Sequence, residues 1–495
     1  MLAAQTMNAI PQGADYIRIL PEIVLSIFGM VIMLLDPVMD ARRSQRTLGG
    51  IALVGAIATL AATLFQAQQQ YWGMGFWNMV KVDAFSIFFH FVVAAVLILV
   101  VLSSYEYMEV QQIRAGEYYG LLLFGAVGMS LMSSAVELVL IFVALEISSI
   151  ATYILAGFRR RSAISAESSV KYFLLGSFAT AFFLYGVALM FGATGSTNIS
   201  VIAESLAPYA ETGHGPLLAY IGVALMFVGL GFKVAAAPFH VWTPDVYEGA
   251  PSPVVGFMST APKAAVFAVL LRIMFQGHPT GTPGRIWLIW VAAALSMTIG
   301  NVAALVQSNV KRLLAYSSIA HAGYLLVAFA SLPKDGIPAA MFYAASYAVM
   351  NVGAFAVVGH FANAGERYVT IEDYAGLGKR SPLLAAIFTM FLLSLIGIPA
   401  FGGFFAKFYV FSAALQANLV GLVIIGVLNS AVAAYYYLRI IVVMYMREAR
   451  EEIPVTPIPM GLGVALALSL AATIYLGILP NRVLEYASRS VGLLR

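Results

Sequence analysis

The chain has 495 residues, 61% of them apolar and only 10% charged, with 27 Lys+Arg against 23 Asp+Glu for a net charge of +4. So few charges cannot cover a water-soluble protein of this size, and lipid must be the solvent of much of its surface. No basic stretch is dense enough to track a nucleic-acid backbone, and without cysteine the chain holds no disulfide, thiolate-bound zinc, iron–sulfur cluster or covalently attached haem.

About 20 mostly apolar residues cross the hydrocarbon core as a helix. Fourteen such segments follow one another, near residues 17–35, 48–66, 84–104, 118–134, 136–157, 168–194, 216–237, 252–276, 286–306, 313–331, 338–361, 382–414, 419–446 and 458–479. The expected fold is therefore all-α and polytopic, with short connections and no soluble domain. Asp15 and Arg18 before the first segment, and the lack of a small-residue cleavage site after Leu35, argue against a cleavable signal peptide.

Loop charges set the orientation. Loops after odd-numbered segments hold fourteen basic residues: Arg42, Arg43, Arg46, Arg114, Arg159, Arg160, Arg161, Lys311, Arg312, Arg367, Lys379, Arg380, Arg447 and Arg450. The opposite side holds eight: Arg18, Lys81, Arg272, Arg285, Lys334, Arg482, Arg489 and Arg495. Both termini are expected on the non-cytoplasmic side. The remaining five basic residues, Lys171, Lys233, Lys263, Lys407 and Arg439, fall inside apolar segments.

Segments seven and twelve carry breaks. Segment seven reads GLGFKVAAAPFHVW, with Lys233 five residues before Pro238; segment twelve reads SLIGIPAFGGFFAKF, with Pro399, Gly402 and Gly403 ahead of Lys407. Proline removes a backbone donor and glycine loosens the helix, so both should open near the membrane middle. Breaks five segments apart point to an internal repeat, segments four to eight against nine to thirteen, and an odd period inverts the second copy. The division is 1–116 for helices one to three, 117–283 and 284–450 for the repeats, and 451–495 for helix fourteen. Proline and glycine are also commoner in membrane helices generally, but here each break coincides with a lysine.

Ionisable groups recur at one depth. Glu146 lies thirteen residues before Arg159, about 20 Å at 1.5 Å per residue, and so near the membrane centre. Lys233, Lys263 and Lys407 lie centrally in segments seven, eight and twelve, and His321 nine residues into segment ten. A charge at mid-bilayer costs roughly 2.5–3.5 kcal/mol, so such groups need partners, water or a neutral form. Burial disfavours an ammonium by up to about 3–5 pKa units, and a carboxylate that approaches or withdraws shifts it back by about 1–3, or roughly 1.4–4 kcal/mol. Moving one charge through 100 mV takes about 2.3 kcal/mol, so such a pair can gate a proton; arginine, which keeps its proton, could not.

The competing reading is static. Glu146 and Lys233 could form an ion pair that only fixes packing, and His321 could be a hydrogen-bonded core residue. Lys171 can snorkel to the interface. His90, His360, Glu137 and Arg439 read as structural or interfacial, and Glu22 and Asp36 lie near helix ends. YAGLGKRS at 374–381 lacks phosphate-loop spacing and reads as a turn; chance explains the Asn198-Ile-Ser200 glycosylation triplet.

KVAAAPFHVWTPDVYEGAPSPVVGFMSTAPKAA, from Lys233 to Ala265, closely resembles the signature of the antiporter-like membrane subunits of respiratory complex I, the proton-translocating NADH:quinone oxidoreductase. Its WTPDVYEGAPSPV portion is similar to the N type and to the B type of the chloroplast and cyanobacterial complex. KRLLAYSSIAHAGY at 311–324 and FFAKFYVF at 404–411 fit the same family, and the resemblance spans nearly the whole chain. It implies a fourteen-helix core with two inverted five-helix repeats and a proton channel whose axis carries Glu146, Lys233, Lys263 and Lys407, with His321 as the linking histidine. Lysine rather than glutamate at 407 favours the N or L type over M, and the chain lacks the long lateral helix of L.

The expected function is proton translocation coupled to quinone reduction elsewhere, with no cofactor in this chain. FMN, iron–sulfur clusters and quinone are expected in partner subunits. The partners implied are an M-type antiporter-like subunit, small K/J/A-type subunits and membrane lipid, in a bacterial inner membrane. The alternatives are an Mrp-type Na⁺/H⁺ antiporter subunit, for which central acidic residues are scarce, and a purely structural scaffold, which leaves the buried lysines as an unexplained cost.

Overall fold

A computed structural model describes residues 11–39, 41–113, 116–209, 215–275, 283–331, 333–449, 453 and 456–492. Arg114, Arg450 and Arg495, used above for orientation, lie outside the described residues. After a short α1 (Gly13–Arg18), segments one to six appear as α2 (Leu20–Leu35), α3 (Ala41–Gln66), α4 (Ala84–Val110), α5 (Gly116–Ser134), α6 (Leu138–Ala156) and α7 (Ala163–Thr194). Between α3 and α4 lies a small antiparallel hairpin, β1 (Gly73–Gly75) with β2 (Val80–Val82). A short α8 (Ile199–Leu206) precedes segment seven, which is split into α9 (Leu217–Val234) and α10 (Thr243–Gly249). Segment eight is likewise two helices, α11 (Ser252–Met258) and α12 (Ala261–Phe275). Then come α13 (Pro283–Leu305), α14 (Val310–Ala330), α15 (Pro333–Phe361) and the single turn α16 (Leu377–Arg380). Segment twelve is α17 (Pro382–Ile396) and α18 (Gly402–Gln416); α19 (Val420–Met446) and α20 (Met460–Ile478) complete the set, and α21 (Pro480–Gly492) follows.

Among the described residues twelve spans are long and apolar enough to cross a membrane. The other two expected crossings are α5 and the pair α17/α18, whose two helices are shortened by the break. The layering follows burial. Ser252–Met274 is buried over 100% of its apolar window, whereas Leu20–Val38 is buried over 28%, so segment eight is the axis of the bundle and α2 lies at its edge. Leu34, Phe178, Leu217 and Met460 are exposed on the outer helices, as lipid-facing residues should be.

Side-chain caps begin α4, α6 and α14, the last two of which carry Glu146 and His321. Asp83 accepts from Ser86 N at 2.8 Å ahead of α4, and Glu137 from Leu140 N at 2.6 Å ahead of α6. Asn309 accepts from Lys311 N at 2.8 Å and Arg312 N at 3.2 Å ahead of α14. Each satisfies amides that a bilayer would leave orphaned.

A constant offset of 172 positions relates two sets of contacts. Leu138 N donates to Thr197 O and Ile199 N to Val136 O; Val310 N donates to Val369 O and Ile371 N to Ser308 O. The bridge Glu137–Asn198 thus recurs as Asn309–Thr370. Gly128 meets Ala144 O and Ser148 N where α5 crosses α6; Gly300 meets Tyr316 O and Ala320 N where α13 crosses α14. Close backbone approach at small residues is how membrane helices pack without a hydrophobic driving force between them.

The breaks are closed by defined groups. Ala235 ends α9 in the left-handed region at φ 61°, with its N–H on Phe232 O and that of Ala236 on Gly231 O. Trp242 Nε1 donates back to Phe232 O at 2.9 Å, and Ser296 Oγ accepts from Ala237 N at 2.8 Å. Gly397, at φ 94°, ends α17. Segment eight opens at residues 259–260, where Asn351 donates to Ser259 Oγ at 2.7 Å; Pro262, just after the gap, marks this break, which was not among the two expected from the sequence.

Candidate functional site

All five expected site residues lie in the membrane-spanning core. Lys233, Lys263, His321 and Lys407 are no more than 6% exposed, and Glu146 is half-buried. Lys233, on the last turn of α9, is not hydrogen-bonded to Glu146. Its ammonium donates to Ser149 Oγ at 2.9 Å and Thr152 Oγ1 at 3.4 Å on α6, and to Tyr172 OH at 3.1 Å on α7. Glu146 Oε1 is buried with no hydrogen-bond partner, as is Ser148 Oγ nearby on α6. The two residues share a neighbourhood but not a bond, so the static ion pair considered from the sequence is not what holds Lys233. Neutral hydroxyls do, and they can accept from an ammonium or donate to an amine.

Lys263, on the first turn of α12, donates to Ser318 Oγ at 2.6 Å and Ser318 O at 3.1 Å on α14. Tyr347 OH on α15 donates to the same Ser318 Oγ at 2.8 Å. His321, one turn beyond Ser318, has Nδ1 2.6 Å from Tyr343 OH. Lys263, His321, Tyr343 and Tyr347 line one cavity of about 10 Å³, at the lower limit for a single water.

Lys407 donates to the carbonyls of Ile396 at 2.8 Å and Leu395 at 3.2 Å, at the buried C-terminal end of α17. Its ammonium stands 4.8 Å from the ring centroid of Tyr324, and that ring is 5.7 Å from His321. Beyond Tyr324 the polar chain continues: Asn301 donates to Tyr324 OH at 3.2 Å and accepts from Tyr436 OH at 3.0 Å. Tyr437 OH in turn is hydrogen-bonded to Ser317.

The structure therefore joins Lys263, His321 and Lys407 through shared neighbours on α14 and α15. From Lys233 a run of rings leads towards the centre of the bundle: Tyr172 stacks on Trp242 at 4.4 Å, and Trp242 meets Tyr247 at 6.0 Å. Sequence reading missed the hydroxyl groups. Ser149 lies three residues after Glu146 and Ser318 three before His321, one turn away on the same helix, but that spacing alone does not show that either faces an amine on another helix.

The residues set aside in the sequence have structural partners. Lys171, in the third turn of α7, pairs with Glu167 and Asp245, both at 2.7 Å. Arg439 reaches the carbonyls of Gln307 at 3.3 Å and Leu305 at 3.5 Å, and His360 that of Thr456 at 3.2 Å. Asn198 accepts from Ser200 N and Val201 N as the cap of α8, and Arg380 closes the 374–381 turn onto Ala375 O at 2.6 Å.

One cluster went unread. Glu366, in the loop after α15, is buried with Lys311 Nζ at 2.7 Å, Arg159 at 3.3 Å, Tyr107 OH at 2.9 Å, and Ser252 Oγ and N at 2.6 and 2.8 Å. Burial alone would raise its carboxyl, but the charges of Lys311 and Arg159 and the hydrogen bonds bring it down to about 2.

Comparison with known proteins places this geometry. Residues 135–433 match the family described as NADH:quinone oxidoreductase/Mrp antiporter, transmembrane. The chain is 65% identical over 485 residues to NADH-quinone oxidoreductase subunit N 2 of Koribacter versatilis, covering 96% of each chain. It is 49% identical to subunit N 1 of Solibacter usitatus, covering 97% of this chain and 98% of that one. Among solved structures it superposes on a chain of respiratory complex I from Thermus thermophilus with bound aureothin at a TM-score of 0.78 and 37% identity, covering 94% and 98% of the two chains. The chain belongs to the NADH:quinone oxidoreductase/Mrp antiporter family, within its complex I subunit N branch.

Proposed function

We propose that Glu146, Lys233, Lys263, His321 and Lys407 relay protons through the membrane as part of a proton-translocating NADH:quinone oxidoreductase. One observation carries this: each of the three buried amines rests on hydroxyl or carbonyl oxygens, and none is locked in a carboxylate pair. An ammonium so held can give up its proton without stranding a buried counter-charge, and a hydroxyl can pass the proton on.

The chain acts as a non-redox subunit. NADH oxidation, FMN, the iron–sulfur clusters and the quinone belong to partner subunits, and the driving energy reaches this row through them. Its neighbours are an M-type antiporter-like subunit and the small K/J/A-type subunits, in a bacterial inner membrane with both termini on the non-cytoplasmic side. Residues 117–283 and 284–450 form the two inverted repeats, after 1–116 and before 451–495. The contacts that recur 172 positions apart support that division. In this register Ser149, which holds Lys233, corresponds to His321, and Glu146 corresponds to Ser318, which holds Lys263.

The test is proton translocation by the assembled complex in vesicles. Lys233→Ala or Glu146→Ala is expected to reduce both pumping and quinone reduction sharply with assembly intact. Full pumping in both variants would contradict the assigned roles.

A further inference from the structure

A second buried titratable pair lies outside the row. Glu22, on the first turn of α2, and His90, two turns into α4, are 5% and 0% exposed, with Oε1 and Nε2 3.4 Å apart. His90 Nε2 is 3.0 Å from Ser130 O on α5, a carbonyl that also accepts from Ser133 Oγ at 2.7 Å. A carbonyl only accepts, so Nε2 carries a hydrogen in every protonation state. What remains variable is a single further proton. His90 Nδ1, both carboxyl oxygens of Glu22 and Ser130 Oγ are buried without a hydrogen-bond partner. A bare carboxylate there would be costly, so the pair holds a proton either on Glu22 or on Nδ1, and the vacant acceptors leave room for it to be exchanged.

The pair lies between two other polar regions. On one side Gln66, buried at the end of α3, donates to the carbonyls of Ile17 and Arg18, both at 2.8 Å, one turn before Glu22 and next to the Asp15–Arg18 ion pair near the surface. On the other, two residues before Ser130, Gly128 presses on Ala144 and Ser148 of α6, which flank Glu146 and adjoin Ser149, the ligand of Lys233. The fixed charges facing the pair are Asp83, held by Arg272 at 2.9 and 3.2 Å, and Lys81, 3.8 Å from Asp83. Arg272 is further tied to Ser133 O at 3.0 Å, so these three ions are already committed to one another.

We propose that Glu22 and His90 form a proton-exchange site between α2, α4 and α5, through which protons pass between the first half of the row and the membrane face where α2 begins. The step breaks no heavy-atom bond: a proton arriving from the α6 side occupies the carboxylate or Nδ1, and the same charge leaves towards the surface past Gln66. The proposal rests on the first half of the row being a proton path.

The experiment compares Glu22→Gln with Lys233→Ala in the assembled complex, reading protons translocated per quinone reduced and the deuterium-sensitive infrared band of a protonated carboxyl. Glu22→Gln is expected to lower the proton ratio and to remove that band while quinone reduction persists. Should Glu22→Gln fail to assemble, Glu22→Asp decides, because it keeps the acid but withdraws it from His90: a lowered proton ratio supports the site, an unchanged one overturns it. An undiminished ratio in an assembled Glu22→Gln complex, with Lys233→Ala silenced, overturns this site alone. Full pumping by Lys233→Ala as well overturns the row itself.

Discussion

Lys407 closes the end of α17: its ammonium donates to the carbonyls of Ile396 and Leu395, the orphaned acceptors that the break at Gly397 leaves in the membrane. The helix break and the buried amine are one device. Carbonyls at a helix C-terminus carry partial negative charge and stabilise a cation, so the break helps to keep an ammonium in oil, and any loosening of it favours release.

Lys407→Arg separates the two jobs. Guanidinium can reach the same carbonyls but cannot release a proton. The variant is expected to assemble and retain the break while transfer through this position falls by at least ~10²-fold. Stopped-flow proton uptake in vesicles, with assembly checked by native electrophoresis, measures both; wild-type uptake would show that Lys407 need not titrate.

Ser318 joins Lys263 to Tyr347 through a single hydroxyl. Ser318→Ala removes both side-chain bonds but leaves the Ser318 carbonyl contact to Lys263. A loss of about 1–1.5 kcal/mol, or roughly 5–10-fold in the pumping rate, is expected. An equal loss in Ser318→Thr, which keeps the hydroxyl, would point to packing rather than to the bond.

Gly403 tests the geometry of the second break. A Cβ there would stand 1.8 Å from Ser394 O, a backbone atom that cannot move without shifting α17. Gly403→Ala is expected to destabilise the subunit by about 1–3 kcal/mol and to displace Lys407 from its carbonyls. Reduced thermal stability together with reduced pumping would show it; a variant that pumps normally would mean that the break is not rigid.

The Glu366 cluster gives a pH dependence. Its carboxyl is depressed from an ordinary 4.5 to about 2, so ionised Glu366 stabilises the folded loops above about pH 4.5. That contribution, on the order of 3 kcal/mol, is lost as pH falls from about 4.5 through about 2. Thermal unfolding of the purified complex should weaken across that interval, and Glu366→Gln, which strands Lys311 and Arg159, should be destabilised by about 3–5 kcal/mol at neutral pH. A stability profile in Glu366→Gln parallel to wild type would remove the carboxyl from this role.

The spans and two of the breaks were legible because hydropathy and proline act locally. Pro238 marked the end of α9, and Lys233, Lys263 and Lys407 stood out because an amine among apolar residues is rare. What holds them was not legible. Ser149, Tyr172 and Ser318 look like ordinary helix residues, and only the packing of α6, α7 and α14 turns their hydroxyls towards the amines. Segment eight opens at 259–260 just ahead of Pro262, which has no N–H to give to the carbonyl of Met258; Asn351 from α15 binds Ser259 in the gap. The repeated contacts were invisible because the same role falls to different residue types, Glu137 and Asn309 as caps, Asn198 and Thr370 as their bridge partners. Glu366 escaped notice because Tyr107 and Arg159 reach it from more than 200 residues away.

The most direct measurement is the protonation state of the three core lysines in the working complex, followed by isotope-edited infrared or nitrogen NMR while quinone is being reduced. Lys233, Lys263 and Lys407 are expected to alternate between amine and ammonium, with Lys233 losing that response in Glu146→Ala. Three lysines that stay charged throughout turnover would contradict the relay and leave a packing framework in its place.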